Sequence, residues 1–406
     1  MNYLYNENPK NKVKAKKAKG KHIYIGGKKL LDLSNASGSL LLGHTSSVYK
    51  KSLDKLKSIG SNYSLINTFV EEYSLMLKKI FPEYSKFIMC ATGTESNMKA
   101  LRIARAITNK KKIAMVSGSW HGSVDELLYS SKDNKCKVKK ILSGGLANNK
   151  NTILIPYNNF NVSKKILDKN KKQIALLIIE PIQQSMPLNE SEEFIKLIYK
   201  YCKKNNILLC FDEMISGLRL PELSVYKKLK TTPDILTFGK IFGGGVPIGI
   251  IGITKKVENL LSKNKDTVFF GGTYSLNPFS SYLGLNTIKY IYKNRNKIYY
   301  KLETLSEILA TQLNNFIYDN DLDLKVIRYA SVLRIIYSNK SLKNKFEKDL
   351  TEKKKIKKII KFKKYIYDNN IFLSKNGAIF LSYQHSIKDI KSVINVFKSG
   401  FKKFLI

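Results

Sequence analysis

The stretch Phe211-Asp-Glu-Met-Ile-Ser-Gly-Leu-Arg219, with Ile235-Leu-Thr-Phe-Gly-Lys240 and Ile241-Phe-Gly-Gly-Gly-Val-Pro-Ile-Gly249 behind it, decides how this chain of 406 residues is read. Two short apolar runs, Ile207–Phe211 and Ile235–Phe238, each stop on a charged residue. Runs of this length between helical patterns predict buried parallel strands, and ligands of such sheets collect at the carboxyl ends of the strands. Asp212 would be buried there and need partners, although a helix-capping role would look the same in sequence. Lys240 ends a buried strand and is followed by three glycines, which keep side chains out of its way. A desolvated lysine has a lowered pKa and is a nucleophile able to form a Schiff base.

Working outward, the same grammar repeats. Apolar runs at Phe87–Cys90, Ile113–Val116, Thr152–Ile155 and Ile174–Ile179 alternate with helical patterns such as Glu95–Ala106 and Glu192–Lys204. That alternation predicts βαβ units and a mostly parallel sheet covered on both faces. The strand Phe87–Cys90 runs into Ala91-Thr-Gly-Thr-Glu-Ser96 at a helix start. Thr92, Gly93 and Thr94 there can cradle a phosphate, or Thr92 and Thr94 can simply cap the helix. Ile113–Val116 leads to Trp120, the one tryptophan, in a loop flanked by Gly118 and Gly122. It can stack on a flat ligand or pack beneath the loop. Ile174–Ile179 ends in Glu180-Pro-Ile-Gln183.

Composition narrows the classes. Hydrophobic residues are 43%, which excludes a disordered chain. The four cysteines form no C-x-x-C pair and the four histidines stand at no ligand spacing, so neither a metal site nor a disulfide framework is expected. Apolar runs are too short for a membrane span, and the polar start carries no secretory signal. The expected compartment is the cytoplasm, with no membrane partner. The formal net charge of +41 suggests nucleic acid. However, the only dense basic cluster, Lys343–Lys364, alternates with apolar residues at helical spacing and reads as an amphipathic surface helix. No nucleic-acid partner is expected, and the excess charge reads as biased composition.

One ligand satisfies the ordered set. Pyridoxal 5′-phosphate offers an aldehyde to a lysine, a flat ring to an aromatic, a ring nitrogen to a carboxylate and a phosphate to a helix amino terminus.

The set resembles the class III pyridoxal-phosphate aminotransferases, closest to the branch of glutamate-1-semialdehyde 2,1-aminomutase. Leu41-Leu-Gly-His44, Ala91–Ser96, Trp120-His-Gly122, Glu180–Gln183, Phe211–Arg219, Gly239–Gly249, Gly271-Gly-Thr273 and Phe380-Leu-Ser-Tyr-Gln-His-Ser386 carry the resemblance, with Asp212 and Lys240 standing 28 positions apart. It implies an α/β fold of type I: a large domain with a mostly parallel seven-stranded sheet flanked by helices, plus a smaller α+β domain. The expected division is a basic arm over 1–21, a segment 22–60 belonging with the small domain, a large cofactor domain over 61–315 and a small domain over 316–406. By resemblance, Lys240 carries the cofactor, Asp212 pairs with its ring nitrogen and Trp120 stacks on the ring. Thr92, Gly93 and Thr94 hold the phosphate, and Thr273 reaches the phosphate of a neighbouring subunit, which implies a homodimer with shared active sites. Gln183 is a candidate for the ring hydroxyl.

His121, Glu180 and Arg334 are candidates for substrate contact. Arg334 lies in the strand pattern Ser331–Tyr337, with Arg328 near it, and a guanidinium there suits a carboxylate or phosphate. The aminomutase holds its substrate with an arginine and a serine before the first strands. Here the chain before His22 offers lysines and no arginine. That favours transfer between an amino donor and a small carbonyl acceptor over transfer within one substrate.

Overall fold

The computed structural model describes residues 14–63, 65–137, 139–146, 150–264, 268–374 and 376–405. Its strands in chain order are β1 (Ala15–Lys19), β2 (His22–Ile25), β3 (Lys28–Asp32), β4 (Tyr84–Cys90), β5 (Lys112–Val116), β6 (Tyr129–Ser131), β7 (Lys139–Ile141), β8 (Thr152–Ile155), β9 (Ile174–Ile179), β10 (Leu208–Asp212), β11 (Ile235–Gly239), β12 (Gly249–Thr254), β13 (Lys325–Tyr329), β14 (Val332–Ile336), β15 (Ile371–Phe372) and β16 (Ala378–Phe380).

The central sheet has seven strands in the order β4-β12-β11-β10-β9-β5-β8. β11, β10, β9, β5 and β8 pair in parallel, and β12 alone runs antiparallel to both its neighbours. The six apolar runs of the sequence are six of these strands. β12 went unread as a strand because glycines interrupt it. Those glycines are required by packing: a Cβ on Gly249 would stand 2.0 Å from the Thr92 carbonyl oxygen, and one on Gly252 would meet the Phe87 and Tyr84 rings.

Strand side chains alternate between the two faces. Leu208 and Cys210 join Ile113, Met115, Leu176 and Ile178 under Ala100, Leu101, Ile103 and Ala104 of helix Gly93–Thr108. Leu209 and Phe211 join Val116, Leu177 and Ile179 on the other face, with Phe194, Ile195 and Ile198 of helix Ser191–Lys204. Burying both faces makes the inner strands β5, β9 and β10 almost wholly apolar before their ends, which is why the polar exceptions at strand ends stand out.

The start of the chain is not a free arm as far as it is described. Residues 1–13 of the expected arm lie outside the described residues, but Ala15–Lys19 pairs with β2, and Gly20 exchanges two backbone hydrogen bonds with His44. β1, β2 and β3 continue into β15, in the order β1-β2-β3-β15, so the beginning of the chain and its last hundred residues share one sheet. A three-stranded sheet, β13-β14-β16, lies beside it. The Phe380 N–H donates to the Leu33 carbonyl, and Asn35 Nδ2 donates to the Phe380 carbonyl. Lys343–Lys364 also differs from the single surface helix expected. It spans two helices, Lys345–Lys354 and Ile356–Asp368, and Lys348 is buried.

Candidate active site

Parallel strands bring their carboxyl ends to one edge, and the sheet delivers the singled-out residues there. Asp212 is the last residue of β10, in register with Thr237 of β11, and Lys240 follows the end of β11. Asp212 is buried. Its Oδ2 accepts from Asn97 Nδ2 at 2.8 Å and from His121 Nδ1 at 2.7 Å, and its Oδ1 accepts from the Met214 N–H at 3.0 Å. A carboxylate only accepts, so His121 carries its proton on Nδ1. Thr237 Oγ1 donates to Asn97 Oδ1 at 2.7 Å, which turns the amide so that its NH2 faces Asp212. Three donors and a buried setting hold Asp212 as a fixed acceptor.

Asn97 is a functional residue that motif reading passed over. Its signal is a buried amide one turn into a helix whose buried residues are otherwise small or apolar apart from Lys99. His121, expected at the substrate, packs instead against Asp212. Its Nε2 is buried and finds no hydrogen-bond partner among the described residues.

Thr92 caps helix Gly93–Thr108, its Oγ1 accepting from the Glu95 N–H at 3.2 Å. The first-turn N–H groups stay outside the helical ladder, and the helix dipole favours an anion there. Capping by Thr92 therefore does not exclude an anion at the same turn. The cradle has no room for side chains. A Cβ on Gly93 or on Gly239 would come within 2.7 Å of Met214 Sδ, and one on Gly122 would strike Thr94 Oγ1. Met214, also missed in sequence, thus lies between the cradle and the end of the Lys240 strand.

Trp120 is 51% exposed and lines a cavity of about 620 Å³ together with Lys240, Glu180, Gln184, Ser185 and Arg334. The Trp120 N–H donates to Glu180 Oε2 at 3.3 Å. Gln183 is buried outside that lining; its Nε2 donates to Ser119 Oγ at 2.8 Å and so braces the Trp120 loop. Thr273 is exposed away from the cavity, with Asn62 Nδ2 donating to its carbonyl oxygen. Arg334 is buried at the cavity wall, 3.4 Å from Glu352.

Burial lowers the Lys240 ammonium below the ordinary lysine value; Glu180 and Asp212 oppose that shift and Arg219 adds to it. Burial, reinforced by Asp212, pushes Glu180 up to about 7. Lys240 also sits at φ +50°, a left-handed conformation that costs a non-glycine residue about 1 kcal/mol or more.

Residues 4–358 match the family model described as aminotransferase class-III. The chain belongs to this family. Among curated relatives, the class III protein named glutamate-1-semialdehyde 2,1-aminomutase from Nitrosopumilus maritimus is 32% identical, over 95% of this chain and 92% of its own. A protein of the same name from Archaeoglobus fulgidus is 31% identical over 93% of this chain and 90% of its own. Among solved structures, an omega-transaminase from Sphaerobacter thermophilus superposes with a TM-score of 0.89, covering 97% of this chain and 92% of that one at 20% identity. A glutamate-1-semialdehyde aminomutase from Pseudomonas aeruginosa PAO1 gives 0.86 at 16% identity, over 97% and 88% of the two chains. At those identities the structural likeness speaks for the type I fold. Membership of class III makes the chain a pyridoxal-phosphate-dependent aminotransferase, and the residues present fit that cofactor. A carboxylate with three fixed donors, a glycine-lined helix start and a desolvated lysine converge on one edge.

Proposed function

We propose that the chain moves an amino group between a small amino donor and a small carbonyl acceptor, with Lys240 as the residue that carries the cofactor and shuttles the proton. The observation behind this reading is the pairing of Lys240 and Asp212 at the ends of adjacent parallel strands, with Asp212 held by Asn97, His121 and the Met214 N–H. Bound pyridoxal 5′-phosphate supplies an aldehyde for amines and a ring that, when protonated at nitrogen, draws off the electron pair left on a carbon that loses a proton. Asp212 holds the proton on that ring nitrogen. His121 and Asn97 act through Asp212 and are positioning residues. Thr92, Gly93 and Thr94 anchor the phosphate by backbone and hydroxyl donors. Trp120 would offer a flat face to the ring, and Met214, between Gly93 and Gly239, would pack beside it. The lowered pKa of Lys240 favours a neutral amine, so that Nζ would be able to take a proton from a substrate carbon and give it back.

The test is direct. Borohydride treatment of the wild-type holoenzyme followed by peptide mapping should place the cofactor on Lys240. Lys240→Ala should lose that label and roughly 10³-fold or more in turnover. A label on another lysine overturns the assignment.

A second reading, transfer within one substrate, is favoured by the names of the relatives at 31–32% identity. One amino substrate supplied alone separates the two. A donor–acceptor enzyme releases one equivalent of deaminated carbonyl product and stops until an acceptor is added, whereas an aminomutase converts an amino-carbonyl substrate fully to an isomer that keeps its amine.

The same reading extends to a homodimer in the cytoplasm. Leu65, Ile66, Leu75, Phe269 and Tyr274 are exposed apolar groups on the face that carries Thr273. A patch of that kind marks an interaction surface, and the partner would bring its own Thr273. The four free cysteines fit a reducing compartment.

A further inference from the structure

The wall of the Lys240 cavity contributed by the last hundred residues is strongly basic. Arg334 comes from β14, Lys345 and Lys348 from helix Lys345–Lys354, and Lys363 from helix Ile356–Asp368. Two carboxylates stand among them. Lys348 contacts Asp349 at 2.7 Å and Glu352 at 2.9 Å; Lys345 pairs with Asp349 and Arg334 with Glu352. Four cations against two anions leave an excess of two positive charges.

Arg334 is the least satisfied of them. It is 7% exposed, yet its one ion pair is a 3.4 Å contact from Nη2, and its Nε has no hydrogen-bond partner among the described residues. A buried guanidinium with idle donors costs free energy unless a ligand completes it. Gly377, at φ +77°, lines the same cavity, and the position a Cβ would occupy there is 3.8 Å from Arg334 Nη2 and 3.6 Å from Lys363 Nζ. Two cations thus bracket one spot from which a side chain is missing. Burial, then repulsion from Arg334, lowers the pKa of both Lys348 and Lys363, as crowded cations should behave. Thr92, Gly93 and Thr94 do not line this cavity, so the basic wall is separate from the cofactor's phosphate cradle.

We infer that one substrate of this enzyme carries a dianionic end group, a phosphate monoester or a pair of carboxylates, held by Arg334 and Lys363 in the same cavity that presents Lys240. The inference rests on the cavity being the aminotransferase site proposed above. A phosphate monoester carries close to two negative charges and three acceptor oxygens, and a planar guanidinium engages two of them at once.

The experiment is calorimetric titration of the cofactor-loaded enzyme, whose cradle is already filled, with inorganic phosphate and, in a second arm, with succinate. One site per chain is expected. Binding should weaken at least tenfold in Arg334→Gln and in Lys363→Gln, and stay unchanged in Lys353→Gln, which removes an exposed charge from the neighbouring helix. Tighter phosphate than succinate identifies a phosphorylated substrate, and the reverse order a dicarboxylate; either supports the site. Absent binding of both anions, or equal binding in wild type and both cavity variants while the cofactor remains on Lys240, overturns the inference. Loss of the cofactor from wild type would instead overturn the aminotransferase reading beneath it.

Discussion

Asp212 shows how much a single residue depends on neighbours far away in sequence. Its three donors come from a helix 115 positions earlier, a loop 91 positions earlier and its own turn. Asn97→Ala removes one donor and leaves Thr237 Oγ1 without its acceptor. It should cost about 1–3 kcal/mol in a urea titration and weaken cofactor retention as well. A purely structural asparagine would change the first quantity and leave the second alone. Glu180 gives a pH test. Its carboxyl is raised to about 7 by burial and by Asp212, against an ordinary value of 4.5. Between these values the folded chain keeps the proton that the unfolded chain has lost. Its contribution is therefore present below about 4.5 and is lost as pH rises through about 7. Glu180→Gln cannot titrate. In the cofactor-stripped protein the variant should gain on wild type from pH 5 to pH 8, by a difference on the order of 3 kcal/mol. A difference that does not change with pH would show that Glu180 is ionised throughout. The placement of Lys240, Asp212, Trp120 and the Thr92–Thr94 turn after strands was legible in the sequence because each follows the end of an apolar run. Asn97, Met214 and the role of His121 were not, because a hydrogen-bond partner across three elements leaves no periodic trace.

At the scale of elements, β12 is the instructive case. It reverses direction inside an otherwise parallel sheet, and its glycines face Gly239 and Cys90 at one end and Leu236 and Phe87 further along. Its isoleucines favour a strand, but Gly249 and Gly252 break the apolar run because the space for a Cβ is already occupied there. Gly249→Ala should cost roughly 3 kcal/mol or more, since the Thr92 carbonyl and the cradle behind it would have to move. Gly144→Ala, where nothing lies within 4 Å, serves as the control and should be nearly neutral. Comparable melting of the two variants would contradict this account of the strand. The basic helices Lys345–Lys354 and Ile356–Asp368 teach the opposite lesson. Their periodicity was plain, but which charges turn toward a cavity follows from where the helices pack.

Across the whole molecule, the first strands, the large sheet and the last strands meet at Arg219. This buried guanidinium donates to the Gly38 and Ile215 carbonyls and to Ser331 Oγ, and lies 5.2 Å from the centre of the Phe380 ring. The opposite exposed apolar face belongs to the proposed dimer. Leu75→Glu combined with Phe269→Glu should sediment as a monomer where wild type sediments as a dimer, and should retain less cofactor. A wild-type monomer with full activity would remove the dimer from the account. The net charge of +41 looked like a clue to partners and is better understood locally. One lysine of the many, Lys240, is buried at a strand end, and three more line the same cavity. By itself the sequence determined the alternation of strands and helices, the residues at strand ends and the family, because hydrophobic period and strand-end chemistry are local properties. Only the tertiary structure decided which side chains hold Asp212, where β12 fits, and that Arg334 and Lys363 face one open spot, because those relations join residues that packing alone brings together.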